Sequence, residues 1–127
     1  MPIQRATCQS GESLETSYEE LAASDGVASI YAKHMLPLLK MLSDECADYQ
    51  LWGLTSHTDL WLVATQEQFS PWLVQIMADP CGGYRVRYKM KASDAPWPDA
   101  FVDAKASDEA AACRLILLAM KNSGGWQ

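Results

Sequence analysis

Residues 84–91 read YRVRYKMK and alternate strictly between apolar and cationic side chains. Because successive side chains of a strand point to opposite faces, this pattern predicts a strand with one face on a core and one in water. The apolar segment 71–78 (PWLVQIMA) precedes it, and the residues between them, 79–83 (DPCGG), are typical of a turn. We therefore expect residues 72–91 to form an antiparallel hairpin.

Further strands are predicted on both sides of this hairpin. Residues 50–55 (QLWGLT) and 59–66 (DLWLVATQ) have strand character around a turn at 56–58. Residues 100–106 (AFVDAKA) form a shorter, weaker strand pattern. Five strands in hairpin succession are typical of an antiparallel sheet.

Two helices are predicted before the strands. Residues 17–24 (SYEELAAS) indicate a first helix, in which Ser17 acts as the cap and Glu20 completes a capping box. Residues 27–45 indicate a second helix, and Pro37 within it is expected to cause a kink or a break. Its apolar face is predicted from positions three and four apart, namely Val27, Ile30, Tyr31, His34, Met35, Leu38, Met41 and Leu42.

A last helix is predicted after Ser107, its expected cap, and the fold class follows from the element order. Two helices, five strands and a helix predict an α+β fold, with an antiparallel sheet of about five strands packed against N-terminal helices and one C-terminal helix. A chain of 127 residues suits one domain, which we assign to residues 12–127. Residues 1–11 are polar without periodicity and are predicted to be a flexible tail.

The net charge of −6 lies in the first half of the chain. Residues 1–60 hold nine acids and three bases, whereas residues 61–127 hold seven of each. This balance disfavours nucleic acid as a partner, since phosphate contacts need Lys and Arg in excess. It suits a basic protein partner, because opposite potentials speed encounter. The alternative is that the charge only maintains solubility.

The composition indicates a globular chain, with 49% hydrophobic and 20% charged residues. No apolar run reaches membrane-spanning length, and the first ten residues lack the apolar stretch of a signal peptide. We therefore expect a cytoplasmic protein without membrane contact. In a reducing compartment its cysteines should be free thiols, with Cys113 in the core and Cys81 exposed. The full set is Cys8, Cys46, Cys81 and Cys113.

Catalytic, metal and cofactor chemistry find little support in the sequence. The cysteines and the two histidines are not spaced as metal ligands, and phosphate-binding glycine motifs are absent, so no metal and no cofactor are expected. Residues 56–59 (SHTD) place a histidine beside hydroxyls and a carboxylate, but adjacency along the chain does not make a catalytic triad. We expect a non-enzymatic protein, while a Cys81–His57 pair stays open as an alternative.

The cationic face of the predicted strand is the first candidate for partner binding. It suits an anion or an acidic partner, and it consists of Arg85, Arg87, Lys89 and Lys91. One alternative is that neighbouring strands supply acids such as Glu67, Asp99 and Asp103. Another is that the cations only protect a sheet edge.

Two further candidates are a tryptophan and an acidic helix. Trp97 lies between two prolines in residues 94–98, where a rigid loop presents it as an interface anchor, unless its ring folds back over the core edge. Like charges four residues apart on a helix cost stability, which suggests retention for binding, although an ordinary solvated face is the alternative. The acidic residues are Glu12, Glu15, Glu19 and Glu20. The tryptophans predicted to lie in the core are Trp52, Trp61 and Trp72.

The layout of residues 70–127 carries a family resemblance. An alternating YRVRY strand is followed by APWP at 95–98, by SDEA at 107–110 opening a helix, and by SGGW at 123–126. This layout resembles small bacterial immunity proteins of polymorphic and contact-dependent toxin systems. The resemblance implies a protein that binds one toxin tightly and blocks it, with no particular residue carried over. The alternatives are a secretion chaperone, a phage-type adaptor or another interaction protein, and then a small-ligand binder or an enzyme.

Overall fold

The computed structural model describes residues 3–5, 13–46, 49, 51–56, 58–64, 73–79, 82–123 and 126. Three helices and six strands follow one another along the chain. In order, they are β1 (Gln4–Arg5), α1 (Leu14–Ala23), α2 (Val27–Glu45), β2 (Trp52–Ser56), β3 (Asp59–Val63), β4 (Leu73–Ala78), β5 (Tyr84–Lys89), β6 (Phe101–Ala106) and α3 (Glu109–Ser123).

The strands form one sheet in which their spatial order equals their order in the sequence. From β2 to β6, each strand pairs antiparallel with the next. β1 adds to the outer side of β2 in the parallel direction. With two helices before these five antiparallel strands and one after them, the predicted α+β fold is confirmed.

β1 corrects the predicted flexible tail for residues 3–5. This short strand pairs with the start of β2, and the side chain of Ile3 beside it is buried. A strand of two residues is too short to show a period in the sequence, so only the neighbouring sheet reveals it. The other residues of the segment 1–11 lie outside the described residues.

The helices cover one face of the sheet. α3 contacts β4, β5 and β6, α2 contacts β4 and α3, and α1 packs against α2. In β5, Tyr84 and Val86 are buried while Arg85 and Arg87 are exposed. The strand predicted over residues 84–91 is therefore confirmed from Tyr84 to Lys89, with alternating burial over residues 84–87, and residues 90–91 lie beyond its end.

The opposite face of the sheet carries none of the described helices. Cross-strand pairing places one row of side chains there, namely Leu54, Trp61, Gln75, Arg87 and Asp103. At the β2–β3 end, Leu54 and Val63 form a small buried cluster against which Trp52 and Trp61 pack. Both tryptophans were predicted to be core and are half-buried on this separate cluster, and Trp72 lies outside the described residues.

The predicted cap of the first helix is corrected. The side chain of Ser13 accepts a hydrogen bond from the backbone N–H of Thr16 at 3.2 Å, and α1 starts immediately after Ser13. Ser17 therefore lies inside α1 rather than at its cap. Serine is a good cap at either position, so the pattern alone does not distinguish them.

The cap of the last helix is also one residue from its predicted position. Asp108 Oδ1 accepts a hydrogen bond from the backbone N–H of Ala111 at 2.8 Å, so Asp108 is the cap in place of Ser107. Asp and Ser are both strong caps. The carboxylate has the added advantage of a favourable interaction with the helix dipole.

α2 has the predicted bounds and continues through Pro37 without a break. Its buried side includes Ala32 and Leu39, which the apolar pattern had left out. Val27 and Ile30, predicted to face the core, are instead 68% and 47% exposed. Because α1 packs against α2, the buried arc is displaced around the helix, and periodicity does not show on which side a second helix packs.

Two buried tyrosines tie the helices to the sheet. Tyr18 of α1 donates a hydrogen bond from its hydroxyl to the backbone carbonyl of Thr58, before β3, at 3.0 Å. Tyr84 of β5 donates to the backbone carbonyl of His34 in α2 at 2.7 Å, and its hydroxyl lies 3.2 Å from Glu109 Oε1 in α3. Tyr84 therefore links α2 and α3 to β5, and Tyr18 links α1 to the residue before β3.

Candidate protein-binding surface

A groove between α1 and α2 brings together two members of the predicted acidic set. It encloses about 600 Å³, and its lining residues are Glu15, Glu19, Leu36, Pro37, Lys40, Ser43 and Asp44. Residues four apart share one helix face, so Glu15 and Glu19 lie together on the α2 side of α1. We name this feature the acidic groove.

Negative charge in the acidic groove is not neutralised within the described part of the chain. There, neither Glu15 nor Glu19 forms an ion pair, and Asp44 forms none either. Lys40 is the cation among the described lining residues, against these three carboxylates. The groove therefore presents an excess of negative charge to solvent.

The other two predicted acids are not part of this groove. Glu20 is exposed on α1 and is not among the lining residues. Glu12 lies outside the described residues. The structure thus brings Glu15 and Glu19 together with Asp44, an acid that sequence reasoning did not single out.

An exposed apolar stripe runs along α2 beside the acidic groove. Its members, all exposed, are Val27, Ile30, Pro37 and Met41. Their spacing follows the three- and four-residue repeat of one helix face. Pro37 also lines the acidic groove, so the two features are continuous.

The apolar stripe carries one further polar group on the backbone. Proline has no N–H, so Pro37 leaves the carbonyl of Lys33 without its helical donor. Pro37 itself is exposed on this side of α2. Sequence reasoning assigned Val27, Ile30 and Met41 of the stripe to the core, although α2 has more apolar positions than one face can bury.

Three of the four predicted cations, Arg85, Arg87 and Lys89, contact acidic or aromatic side chains of the same chain. Arg85 forms an ion pair with Asp103 at 2.6 Å, and Lys89 forms one with Asp99 at 2.7 Å. The guanidinium of Arg87 lies 4.3 Å from the ring centroid of Phe101, which is cation–π geometry. The open alternative of neighbouring acids therefore describes Arg85 and Lys89.

Two residues remain to be located, Lys91 from the predicted cations and Glu67 from the predicted acids. Lys91 is half-buried after β5, and its backbone carbonyl accepts hydrogen bonds from the N–H groups of Asp94 and Ala95, each at 3.0 Å. No ion pair of Lys91 is present in the described part of the chain. Glu67 lies outside it.

Trp97 is presented to solvent by the loop between β5 and β6. Its side chain is 66% exposed, so the ring is not folded over the core edge. The loop forms a shallow groove of about 490 Å³ that Trp97 lines together with Lys89, Met90 and Pro96. This surface is separate from the acidic groove in the sequence and on the fold, since it belongs to the sheet.

The two described thiols are buried, which favours their protonated form. Burial raises the pKa of the Cys46 thiol to about 12 and that of the Cys113 thiol to about 11. Both are free cysteines, and the predicted core position of Cys113 is confirmed. His57 and Cys81 lie outside the described residues. Within the described ranges, no cluster of three or more His, Cys, Asp or Glu side chains has the arrangement of a metal site.

Comparisons leave the function to be argued from these surfaces. No known protein family matches the chain, and neither a curated protein nor a solved structure matches it. Over the described residues, no helix has both the length and the apolar character that crossing a membrane requires.

Proposed function

We propose that this protein is a non-enzymatic binding module of the immunity or inhibitor type, which binds and neutralises a cognate bacterial toxin. The observation that supports the proposal most is the continuity of the acidic groove with the apolar stripe. A binding surface needs an apolar centre that excludes water and charges that select the partner. The two features supply these on neighbouring parts of one helical hairpin.

The chemistry of the surface defines the partner. Carboxylates of Glu15, Glu19 and Asp44 favour a cationic surface, such as the substrate cleft of a nuclease-type toxin, and speed its approach. Side chains of the apolar stripe then contribute the area that is removed from water in the complex.

The partner should also accommodate Lys40, the cation among the described residues that line the acidic groove. Lys40 lies among the three carboxylates of the groove. A basic partner that places an acid opposite Lys40 gains a contact that other cationic surfaces lack. Such mixed patterns favour one partner over its close relatives, because a mismatch leaves like charges facing each other.

The experiment is a titration with the toxin domain encoded beside this protein's gene. We expect a 1:1 complex in calorimetry and loss of the toxin's activity on its own substrate. Ile30→Gln should weaken the complex about tenfold, since it removes apolar area from the stripe. The matched control is Leu118→Gln on α3, an apolar residue of similar exposure at 53%, which should leave the affinity unchanged.

Two results would overturn the proposal. One is the absence of a complex with that toxin domain at micromolar concentrations. The other is a complex that Leu118→Gln weakens as much as Ile30→Gln, which would place the contact elsewhere.

A secretion chaperone or adaptor is the second candidate, and the exposed apolar stripe favours it. Such a protein would hold an apolar segment of its client against Val27, Ile30 and Met41. The salt dependence of binding separates the two candidates. Binding to a basic toxin weakens as salt rises, whereas binding to an apolar client does not.

A further inference from the structure

β6 is the last strand of the sheet, and no described strand pairs with its outer edge. The phase of its hydrogen bonding is fixed by the bond from the N–H of Met90 to the carbonyl of Ala100, at 2.9 Å. Residues of an antiparallel pair alternate between hydrogen-bonded and non-hydrogen-bonded positions. The residues of β6 that bond to β5 are therefore Val102, Ala104 and Ala106, and those whose N–H and C=O groups point to the open edge are Phe101, Asp103 and Lys105.

Lys105 is the residue of this edge whose charge is not balanced in the described chain. It stands directly opposite Arg85, and like charges at that position are destabilising. Asp103 pairs with Arg85, and no described acid forms an ion pair with Lys105. An acid supplied from the open side of β6 would offset this repulsion.

We propose that β6 pairs antiparallel with β6 of a second copy of this chain, about a two-fold axis at Ala104. In this register Asp103 of each copy lies opposite Lys105 of the other, so two opposite-charge pairs form. The same register places outward-pointing backbone groups opposite each other, so the 103–105 pairs are hydrogen-bonded pairs. Small alanine side chains meet at the axis on the helix-covered face.

Neighbouring registers fail on charge or on hydrogen bonding. An axis at Asp103 sets Asp103 against its own copy, and an axis at Lys105 sets Lys105 against its own copy. An axis between two residues places outward-pointing groups opposite groups already bonded to β5. An axis at Val102 keeps the hydrogen-bonding phase but sets Asp103 opposite Phe101, so among these registers only the Ala104-centred one pairs Asp103 with Lys105.

The association closes at two copies. Both β6 edges are used in a symmetric pair, so a third chain finds no second copy of this edge. The other end of the sheet is occupied by the two-residue strand β1. A dimer, rather than a filament, is the expected product.

The test is sedimentation equilibrium of the full chain, without any partner, over a wide concentration series. We expect a reversible monomer–dimer equilibrium. Lys105→Glu should weaken it about tenfold, because two pairs per dimer change from attraction to repulsion. The swap Asp103→Lys plus Lys105→Asp restores opposite charges across the axis and should recover the dimer; circular dichroism checks that each variant is folded.

Hydrogen exchange identifies the edge itself. On dimerisation, amide protection should rise at Asp103 and Lys105, whose partners lie within β6 of the other copy, and stay constant at Val102 and Ala104. A chain that remains monomeric at every concentration would overturn the inference, since the charges would then only protect the edge. A dimer that leaves the amides of Asp103 and Lys105 unprotected, or that Lys105→Glu does not weaken, would overturn it equally. Neither result bears on toxin binding, which uses α1 and α2.

Discussion

The helical hairpin, formed by α1 and α2, differs from the β5–β6 region in whether its charged side chains form ion pairs. On α1 and α2, three carboxylates line one groove without an ion pair among the described residues. On β5, two of the cations have acids within 2.7 Å and a third lies over an aromatic ring. Three cations of β5 are thus paired with residues of β6 or of the loop before it, whereas the acids of the groove remain available to a partner.

The largest effect is expected from reversing the charge of the acidic groove. Glu15→Lys plus Glu19→Lys reverses two charges of the acidic groove and should slow association with a basic partner about a hundredfold at low salt. The dissociation rate should change less, because electrostatic steering acts mainly on encounter. Stopped-flow fluorescence at several salt concentrations measures both rates.

A matched pair of single variants controls this experiment. Glu19→Lys reverses an exposed acid of the groove, and Asp94→Lys reverses an exposed acid of the β5–β6 loop. Only the first should slow association. Equal rates for the two variants at low salt would remove the acidic groove as the contact.

The next effect concerns two buried thiols, that of Cys46 immediately after α2 and that of Cys113 in α3. The pKa values of Cys46 and Cys113, about 12 and about 11, lie above the ordinary value of 9.0, chiefly because of burial. Above about pH 9 the unfolded chain loses these protons while the folded chain retains them, so stability falls as pH rises. We expect the free energy of unfolding to drop by about 2 kcal/mol between about pH 9 and about pH 10.

Urea denaturation at several pH values tests this expectation. The control is Cys46→Ala plus Cys113→Ala, in which the drop over this range should largely disappear. A drop of the same size in the control would assign the pH dependence to other groups. Tyr84, whose pKa is also raised by burial and by Glu109, contributes only at higher pH.

A smaller effect tests how firmly the helical hairpin is attached to the sheet. Tyr84→Phe removes the hydrogen bond to the carbonyl of His34 and should lower the free energy of unfolding by about 1 kcal/mol. Tyr88→Phe is the matched control on the same face of β5, and it should change stability little. Equal losses in urea denaturation would show that the hydroxyl of Tyr84 contributes nothing specific.

The smallest effect is expected from removing one ion pair beside the sheet, that between Lys89 and Asp99. Asp99→Asn removes the ion pair with Lys89, which is exposed to solvent, and should cost about 0.5 kcal/mol or less at low salt. Asparagine tolerates the positive φ of 61° at this position, so the backbone is retained. Thermal melts with and without added salt measure the loss, which should vanish as salt rises. A larger loss that persists in salt would mean that this pair is more than a surface contact.

The sequence predicted the elements whose patterns are long and regular. The alternation from Tyr84 and the helical spacing of 27–45 each extend over several repeats, and both elements stand where expected. β1 was missed because two residues carry no period. At the starts of α1 and α3, Ser17 and Ser107 were predicted as caps, and only the hydrogen bonds of Ser13 and Asp108 show that these two residues cap the helices instead.

The candidate surface was only partly predictable, for a related reason. Glu15 and Glu19 could be placed on one face of a helix from their spacing alone. Their meeting with Asp44 depends on how α1 packs on α2, which is a tertiary contact. The same packing decides that Val27 and Ile30 face solvent, although their spacing predicted a place in the core.

The most direct test is chemical-shift mapping of the protein in complex with the basic toxin domain that we propose as its partner. We predict that the changes in amide chemical shift concentrate on α1 and α2, around Glu15, Glu19 and Met41 and beside Pro37, with the shifts of β5 and β6 unchanged. A map centred on Arg85 to Lys91 or on Trp97, with α1 and α2 silent, would contradict it.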